Sequence, residues 1–365
     1  MTIRVPLAEQ RDASYDIVIG RGALGVVPAL LAQQCPAAAY AVITDSHVAN
    51  LYGDAVVKKV SGTGYRVELF PFPAGEWNKT RETWASLSDR MLAAHFGRDC
   101  AVIALGGGVV GDVAGFVAAT YLRGVPYVQV PTSLLAMIDS SIGGKTGVDV
   151  AAGKNLLGAF YQPRLVVADL DLLSSLPPVQ VSAGLAEAVK HGVIADAEYF
   201  AFLEREHAAI LAKDAATLER VVRRSVEIKA AVVAEDEREA GRRAILNFGH
   251  TVAHAIEATV KFEVLHGEAV AIGMAIEARL AETLGIAAKG TADRIVQLLE
   301  RCRLPVERPD GPSVDDLIEA MRGDKKVREG GEIRFALPKG IGVMHGDKQA
   351  WTVGVEEGRI REVVA

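Results

Sequence analysis

The character of this chain changes near Leu172, and that change limits its possible folds more than any other feature. After it, long segments with an apolar period of about 3.6 residues predict helices, and few strand signals return before Ile333. Before it, β-rich runs alternate with helical stretches, which predicts βαβ units and a mostly parallel sheet. We expect a Rossmann-like α/β domain over residues 1–172 and a mainly α-helical domain over residues 173–365. The β-rich runs are YDIVIG, AYAVITD, RVELFPF, CAVIALGGG, YVQVPT and RLVVADL.

The bulk composition narrows the class of protein. A chain of 365 residues that is 50% hydrophobic has enough apolar side chains for two cores. The net charge of -6 argues against a general nucleic-acid binder, because such proteins carry a net basic face. The sequence has no signal segment, no apolar run of about 20 residues and no Cys-x-x-Cys pair. We therefore expect a cytoplasmic protein that neither spans a membrane nor binds nucleic acid.

A glycine-rich turn follows the fourth β-rich run. It contains G-x-G-x-x-G at Gly106, Gly108 and Gly111. Glycines at a strand-to-helix turn let the backbone approach a pyrophosphate, whose charge the amide groups and the helix N-terminus hold. The motif lies inside the sheet rather than in the first βα turn, so a simple tight turn is an equally good interpretation.

The next stretch, PTSLLAMIDSSIGGKTGVDVAAGKNLLGAF, is richer in polar residues and glycine than a plain connection needs. SSIGGKTG is not a Walker A loop, because Asp139 occupies a position that must be glycine. Asp139, Lys145, Lys154 and Asn155 could line a cradle for a cofactor and a charged substrate. Alternatively, the two lysines are solvated loop residues.

Two histidines four residues apart, His250 and His254, share one face of the predicted helix NFGHTVAHAIE. His266 follows in VLHGEAVAIG, and Glu187 precedes them in GLAEAVKHG. A catalytic zinc takes three protein ligands from such side chains and keeps one position open. Spacing alone leaves open which of the four is surplus, and a buried histidine without a metal is the alternative for each imidazole.

Cations surround these motifs in a chain that is acidic overall. Some of them must be ordinary surface charges. Arg243 and Asn247, however, are spaced to share one helix face with His250 and His254, as expected where an anionic small molecule meets a metal. The basic residues are Lys190, Lys229, Arg243, Lys325 and Lys326.

Long motifs of this chain match one family in order and over nearly the whole length. They are LGGGVVGDVAGFVAATYLRG, QVPTSLLAMIDSSIGGKTGVD, GKNLLGAFYQP, GLAEAVKHG, ILNFGHTVAHAIE, LHGEAVAIGM and GDKK. The sequence resembles the 3-dehydroquinate synthases, which are sugar-phosphate cyclases. The resemblance implies a homodimer with an NAD-binding α/β domain, a helical metal- and substrate-binding domain, and an active site between the two.

The resemblance also implies a role for each motif residue. Glu187, His250 and His266 resemble the ligands of zinc, with cobalt as an alternative metal, and Arg123 resembles an arginine that reaches the neighbouring subunit's site. The residues that would hold NAD+ are Asp45, Gly75, Glu76, Lys79, Gly107, Gly108, Val109, Val110, Gly111, Asp112, Thr132, Ser133, Lys145, Lys154, Leu172, Leu173, Ser174 and Ser175. Those that would serve the substrate are Asp139, Lys145, Asn155, Lys190, Lys229, Arg243, Asn247, His254, Lys325 and Lys326.

The implied reaction converts a phosphorylated sugar acid, 3-deoxy-D-arabino-heptulosonate 7-phosphate, into 3-dehydroquinate and phosphate in the shikimate pathway. Transient oxidation at C5 by NAD+ acidifies the C6 proton and phosphate leaves by β-elimination. C5 is then reduced again, and the ring closes by an intramolecular aldol step. NAD+ is regenerated in each cycle, so the enzyme is a phosphate-eliminating carbon–oxygen lyase.

Three alternatives remain open. A sister cyclase of the 2-deoxy-scyllo-inosose or 2-epi-5-epi-valiolone synthase type would act on substrates that lack the carboxylate, whereas Arg243, Asn247 and the GDKK lysines favour the heptulosonate. A metal-dependent polyol dehydrogenase would release NADH steadily. A non-catalytic NAD-binding or zinc-binding scaffold would have no need for so many cations beside a metal.

Overall fold

The computed structural model describes residues 12–151, 153–260, 264–323, 332–347 and 350–364. Its strands are β1 (Asp16–Gly20), β2 (Ala39–Asp45), β3 (Arg66–Phe72), β4 (Cys100–Gly106), β5 (Tyr127–Pro131), β6 (Lys145–Val150), β7 (Gly153–Phe160), β8 (Leu165–Asp169), β9 (Ile333–Phe335), β10 (Pro338–Gly340), β11 (Val343–Met344) and β12 (Val353–Val355). Its α-helices are α1 (Val27–Gln34), α2 (Ser46–Val48), α3 (Asp54–Ser61), α4 (Arg81–Ala93), α5 (Gly108–Thr120), α6 (Pro178–Ala195), α7 (Ala197–Leu211), α8 (Ala215–Glu235), α9 (His250–Thr259), α10 (His266–Thr283), α11 (Thr291–Arg301), α12 (Val314–Arg322) and α13 (Glu357–Val364).

Six strands form one parallel sheet in the order β1, β8, β5, β4, β2, β3. They coincide with the six β-rich runs, so the predicted α/β sheet is confirmed. The strands β4, β5 and β8 are buried along their whole length. This burial explains why the three runs are almost continuously apolar, because a parallel sheet is covered on both faces.

The chain reverses its winding direction between β2 and β4. β3 lies on one side of β2, and β4 lies on the other. Thr44 pairs with Leu105, so Asp45 and Gly106 leave the sheet side by side at its carboxyl edge. In open parallel sheets, ligands bind in the crevice at such a switch point. The topology therefore places the glycine-rich turn where a dinucleotide site is expected.

An antiparallel hairpin of β6 and β7 stands apart from the main sheet and was not predicted from the sequence. Gly147 pairs with Gly158 in it, and a Cβ on Gly158 would lie 2.2 Å from the carbonyl oxygen of Thr146. Gly115 of α5 lets the hairpin pack closely, because a Cβ there would lie 2.4 Å from the Thr146 side chain. The glycines thus fix a hairpin against α5, and this hairpin carries several of the predicted site residues.

The part of the chain after residue 172 is mainly helical, as predicted, and ends with short strands and α13. Helices α6, α9 and α10 approach closely at glycines. A Cβ on Gly267 would lie 2.0 Å from the carbonyl oxygen of Ala183, and one on Gly273 would lie 1.9 Å from that of Gly249. These contacts draw the N-termini of α9 and α10 towards α6.

The two halves share one buried hydrophobic cluster, which runs from Leu31 through Val167 to Val270. The domain boundary at residue 172 therefore stays a prediction: β8 ends at Asp169, and α6 begins at Pro178. Among the described residues, no helix combines the length and the apolar character that a membrane crossing requires.

Candidate active site

Glu187, His250 and His266 come together from three helices. Glu187 lies in the middle of α6 and is completely buried, whereas His250 and His266 are the first residues of α9 and α10. Oε1 of Glu187 is 3.5 Å from Nε2 of His250 and 3.5 Å from Nε2 of His266. One potential ligand atom from each residue lies within 4.8 Å of the others, so the three could hold one metal ion.

The donor set fits a divalent cation of the zinc type. A carboxylate with two imidazoles is a common three-ligand set for catalytic zinc. Oε1 of Glu187 is buried and accepts no hydrogen bond from the described residues, and such an atom is costly unless a cation or a donor faces it. The predicted ligands thus converge, while their role as ligands stays a prediction.

Each imidazole is oriented by a partner of its other nitrogen. Nδ1 of His250 is 3.1 Å from the carbonyl oxygen of Phe248, and Nδ1 of His266 is 3.2 Å from Oε1 of Glu257. Because a carbonyl oxygen can only accept, His250 carries its proton on Nδ1 and keeps the lone pair of Nε2 for the site. Such outer partners fix ring orientation in metal centres. Glu257 was not predicted from the sequence.

The two imidazoles differ in their affinity for a proton. Burial and the charge of Lys190 lower the pKa of His250 to about 4, so its ring is neutral. Burial also disfavours the charged form of His266, but the carboxylates of Glu257 and Glu187 outweigh it and raise the pKa of His266 to about 10. A cation at this point would compete with that proton.

The prediction that Arg243, Asn247 and the two histidines share one helix is wrong. Residues Arg242–Asn247 form a short 3-10 helix, and α9 begins only at His250. Gly249 breaks the helix with a φ of 82°, and a Cβ there would lie 2.6 Å from Cγ of Met274. The i, i+4 relation of the two histidines does hold, because both lie on α9, with ring centroids 5.6 Å apart.

A buried charge cluster lies beside the three predicted ligands. The ammonium group of Lys190 pairs with Glu187 and lies 3.8 Å from Oδ1 of Asp139, and Nζ of Lys229 lies 2.7 Å from the same oxygen. Burial raises the pKa of Asp139, but the charges of Lys229 and Lys190 outweigh it and hold that pKa well below its usual value. Asp139 is therefore ionised and fixes the positions of both ammonium groups.

His191 belongs to this cluster and was not predicted. It is completely buried next to Lys190 in sequence, and its Nε2 lies 3.7 Å from Oδ1 of Asp139. The ligand atoms of Asp139, Glu187 and His191 also lie within 4.8 Å of one another. Lys229 and Lys190 already neutralise Asp139, so this set suits a cation less well than the first. The KHG motif that contains His191 was the available signal.

Glu239 is a further site residue that sequence reasoning missed. Its Oε1 accepts a hydrogen bond of 2.5 Å from Nδ2 of Asn247, and its Oε2 pairs with the ammonium group of Lys145. Arg243 lies behind them, almost fully buried, and donates to the carbonyl oxygen of Gly143 at 3.0 Å. Three of the predicted substrate residues, Lys145, Arg243 and Asn247, therefore surround one region, although they come from a hairpin and a 3-10 helix far apart in sequence.

The glycine-rich turn forms the N-terminus of α5. β4 ends at Gly106, and Gly107 caps the helix without any side-chain hydrogen bond. A Cβ on Gly107 would lie 3.4 Å from Oγ of Ser133, and one on Gly108 would lie 3.2 Å from Oγ of Ser140. The first amide groups of α5 are therefore available to an anion. Val110, by contrast, is fully buried, so its side chain belongs to the core.

A polar cradle lies between Gly75 and the hairpin. Nζ of Lys79 is 2.5 Å from Oδ2 of Asp112 and 2.6 Å from Oδ1 of Asn155. Burial lowers the pKa of Lys79, but the charges of Asp112 and Glu76 outweigh it and raise that pKa above its usual value. The charged Lys79 thus joins α5 to the hairpin.

Lys154 connects this cradle to the three predicted metal ligands. Its Nζ lies 3.4 Å from Oε1 of Glu76 and 3.0 Å from Oε1 of Glu257, which is also the partner of His266. Four residues predicted for cofactor binding, Glu76, Lys79, Asp112 and Lys154, are therefore close together and adjoin the predicted metal ligands.

Further predicted cofactor residues follow strands of the main sheet at its carboxyl edge. Oδ1 of Asp45 accepts from the amide groups of His47 and Val48 and caps α2. Leu172 and Leu173 are buried, so any contact they make with a dinucleotide would involve the backbone. Three others have polar atoms near that edge. The amide of Thr132 donates to the carbonyl oxygen of Gly106 at 2.9 Å, and Oγ of Ser174 donates to the carbonyl oxygen of Asp171 at 2.6 Å. Oγ of Ser175 lies 2.6 Å from the hydroxyl oxygen of Tyr52.

Three predicted catalytic residues are not placed at this site. Lys325 and Lys326 lie outside the described residues. Arg123 is exposed at the far end of α5. Because α5 has 13 residues and a helix rises about 1.5 Å per residue, Arg123 lies about 20 Å from the glycine-rich turn.

Residues 69–183 match the family model described as 3-dehydroquinate synthase N-terminal, and residues 184–327 match 3-dehydroquinate synthase C-terminal. The chain belongs to the 3-dehydroquinate synthase family. A relative of that name from Symbiobacterium thermophilum is 52% identical over 334 residues, which cover 91% of this chain and 92% of the relative. Another from Caulobacter vibrioides is 47% identical over 351 residues, with 93% of each chain covered.

Solved structures of other cyclases share the fold of this family member. A 2-deoxy-scyllo-inosose synthase complexed with carbaglucose-6-phosphate, NAD+ and Co2+ has a TM-score of 0.88 and 29% identity, with 96% of each chain covered. The 2-epi-5-epi-valiolone synthase ValA from Streptomyces hygroscopicus, with NAD+ and Zn2+ bound, has a TM-score of 0.88 and 30% identity, with 99% and 98% covered. A probable glycerol dehydrogenase from Sinorhizobium meliloti shares the fold alone, at 16% identity and a TM-score of 0.66, with 95% of each chain covered.

Proposed function

We propose that this chain converts 3-deoxy-D-arabino-heptulosonate 7-phosphate into 3-dehydroquinate and phosphate, as a phosphate-eliminating carbon–oxygen lyase of the shikimate pathway. The observation that carries the proposal is the meeting of Glu187, His250 and His266 beside the buried ammonium group of Lys190. Membership of the 3-dehydroquinate synthase family supports it across both halves of the chain.

Two cofactors have separate places in this proposal. Glu187 with Nε2 of His250 and of His266 would hold zinc, which when bound supplies a Lewis acid for a substrate oxygen. NAD+ would lie in the crevice at the switch point, held by Gly107 and Gly108 and by the cradle around Lys79, and supplies the hydride acceptor for C5. The contacts of Lys154 with Glu76 and Glu257 make the two places adjacent.

The buried cations would bind and orient the charged groups of the substrate. The side chains of Lys190 and Lys229 are only 2% and 7% exposed, so their charges act in a site from which water is largely excluded. Nε of Arg243 is buried and has no acceptor among the described residues. A carboxylate or phosphate oxygen would satisfy this donor, and the planar guanidinium group suits such a partner.

His254 would hold and move the proton at the C5 hydroxyl. It lies one turn beyond His250 on α9, with its ring close to that of His250 but outside the predicted ligand set. An imidazole is suited to this task because its ordinary pKa lies near neutrality. The phosphate of the substrate itself is the alternative acceptor for the C6 proton.

A homodimer in which Arg123 completes the neighbouring site is part of the proposal. Arg123 makes no ion pair with the described part of the chain, and its φ of 72° is unusual for a residue with a side chain. A strained, exposed arginine about 20 Å from the glycine-rich turn of its own subunit is better placed to serve another. Large apolar side chains exposed on β7 support a subunit contact there: Leu156 (39%), Leu157 (38%) and Phe160 (44%).

A cytoplasmic location is inferred from the thiols. Cys35, Cys100 and Cys302 are all buried and none is in a disulfide. Burial raises the pKa of each thiol, so the thiolate form that oxidation needs is rare. Free thiols of this kind are usual in a reducing compartment.

The experiment that tests the function compares substrates. Purified protein with zinc and a trace of NAD+ is given heptulosonate 7-phosphate or, in parallel, glucose 6-phosphate, which lacks the carboxylate. We expect phosphate and dehydroquinate from the first substrate and no turnover of the second. Turnover of glucose 6-phosphate alone would indicate that the chain has the activity of a sister cyclase instead. Two such cyclases share its fold at 29% and 30% identity.

A further inference from the structure

The N-terminus of α9 has no cap of its own, although it carries His250. Gly249 stands at the N-cap position and has no side chain that could cap the helix. The first amide groups of a helix have no partner within the helix, and leaving them buried and unpaired is costly. The position and orientation of His250 therefore depend on the acceptor that pairs with the first backbone N–H groups of α9.

Glu277, from the neighbouring helix α10, satisfies two of them. Its Oε2 accepts from the amide of Gly249 at 2.7 Å, and its Oε1 accepts from the amide of Val252 at 3.2 Å. These are the N-cap and N3 amides, which two separate side chains of the same helix satisfy in a capping box. Glu277 is completely buried, and a carboxylate is favoured at the positive end of a helix dipole.

The two hydrogen bonds enclose His250 on both sides. Gly249 precedes it and Val252 follows it, and Phe248, whose carbonyl oxygen accepts from Nδ1 of His250, is one residue further back. Helix α10 holds this segment tightly, because a Cβ on Gly273 would lie 1.9 Å from the carbonyl oxygen of Gly249. Glu277 thus fixes the turn in which the carbonyl oxygen of Phe248 orients the imidazole and keeps its proton on Nδ1.

We propose that Glu277 is a positioning residue for the metal site, which places His250 for coordination without touching the ion or the substrate. The inference rests on the metal site of the proposed function. Its consequence is that loss of the Glu277 carboxylate weakens metal binding and alters the geometry around the ion, beyond any general loss of stability.

The same helix offers a matched control. Oε1 of Glu282, one turn further along α10, accepts from the amide of Ala292 at 2.7 Å and so caps α11. Helix α11 carries none of the predicted ligands. The substitutions Glu277→Gln and Glu282→Gln each weaken a helix cap made by a glutamate of α10, one with two hydrogen bonds beside a proposed ligand and one with a single hydrogen bond away from it.

The experiment measures both variants and the wild type loaded with Co2+, whose visible absorption spectrum reports the geometry of its ligands. Metal affinity is obtained by competition with a chromophoric chelator, and stability by urea unfolding. A glutamine oxygen can accept from one amide, but its NH2 group faces the other. We expect Glu277→Gln to bind Co2+ about tenfold to 100-fold more weakly, in the range typical of groups that orient metal ligands, and to change the spectrum. Glu282→Gln should lower stability only.

Three outcomes are distinguishable. A Glu277→Gln protein that binds Co2+ as the wild type does, with the same spectrum, would overturn the inference while leaving the metal site intact. A wild-type protein that binds no Co2+ would instead contradict the proposed function itself. Should Glu277→Gln fail to fold, Glu277→Asp carries the same comparison, because it keeps the charge but shortens the reach by one methylene group and should weaken Co2+ binding in the same direction.

Discussion

Oε1 of Glu187 lies 3.5 Å from Nε2 of His250, although the two residues belong to different helices. Two ligands of one tetrahedral zinc ion, each about 2.1 Å from the metal, lie about 3.4 Å apart. The separation is longer than a good hydrogen bond and close to this value. The side chains are therefore already spaced as ligands of a shared ion would be.

Replacing Glu187 by glutamine should abolish metal retention and turnover. The amide oxygen is a weaker ligand than a carboxylate, and the ammonium group of Lys190 would lose its buried partner. We expect zinc affinity to fall by more than about 100-fold. This loss exceeds the one that is usual when a residue that only orients a metal ligand is replaced. Zinc per subunit after dialysis measures this. The exposed Glu219→Gln, on the surface of α8, is the control, and a Glu187→Gln enzyme with full zinc and full rate would refute the assignment.

Replacing His254 by alanine should leave zinc bound but slow the reaction. Loss of a general acid–base group typically costs about 100-fold to 10,000-fold in rate. The matched control is His207→Ala, since His207 is also half-buried on a helix, where its Nδ1 meets the carbonyl oxygen of Glu204. Loss of zinc from His254→Ala would show that this histidine is a ligand after all.

Replacing Glu257 by glutamine should weaken metal binding without removing a ligand. Glu257 accepts from His266 and pairs with Lys154. The change therefore weakens the contact that orients the His266 imidazole and removes the ion pair with Lys154 of the hairpin. A loss of about tenfold to 100-fold in zinc affinity is expected. Chelator competition measures it against Glu204→Gln, which removes the ion pair with Arg294 between α7 and α11. Equal affinities in the two variants would count against a role for Glu257 at the metal.

Combining two impaired variants in one dimer should restore activity if Arg123 serves the neighbouring subunit. In a heterodimer of Arg123→Ala and His254→Ala chains, one of the two sites has both groups intact, because the symmetric dimer exchanges one arginine each way. Co-expression with two different tags isolates these heterodimers. We predict about half of the wild-type rate per dimer, whereas heterodimers as inactive as the parents would place Arg123 outside the partner's site.

Much of the fold could be predicted because local pattern and tertiary structure agree. Each of the six strands is an apolar run bounded by turn residues, and all six pair in the sheet. The β6–β7 hairpin was missed because Gly147 and Gly158 meet across the hairpin and Gly115 of α5 makes room for Thr146, and no local pattern contains these close contacts. The helix predicted to extend from Arg243 to His254 was wrong for a similar reason: Gly249 interrupts it with a positive φ, at a point where a Cβ would meet Met274 of α10.

The candidate site, like the fold, could be predicted from the sequence only in part. Glu187, His250 and His266 could be proposed from their residue types, since metal ligands come from a small set of side chains. Glu239, Glu257 and Glu277 could not, because a glutamate in a charged loop or in a helical sequence is usually a solvated residue. Their roles follow from partners on other elements, such as Asn247, Lys154 and Gly249.

A turnover count with limiting NAD+ tests whether the metal and a regenerated cofactor act together in one catalytic cycle. Zinc-loaded protein is given heptulosonate 7-phosphate in large excess over NAD+, and phosphate, dehydroquinate and NADH absorbance are followed, before and after removal of zinc by a chelator. We expect equal amounts of phosphate and dehydroquinate, far exceeding the NAD+ present, with no build-up of NADH and no reaction without the metal. Steady accumulation of NADH without phosphate, or undiminished turnover after zinc removal, would contradict this expectation.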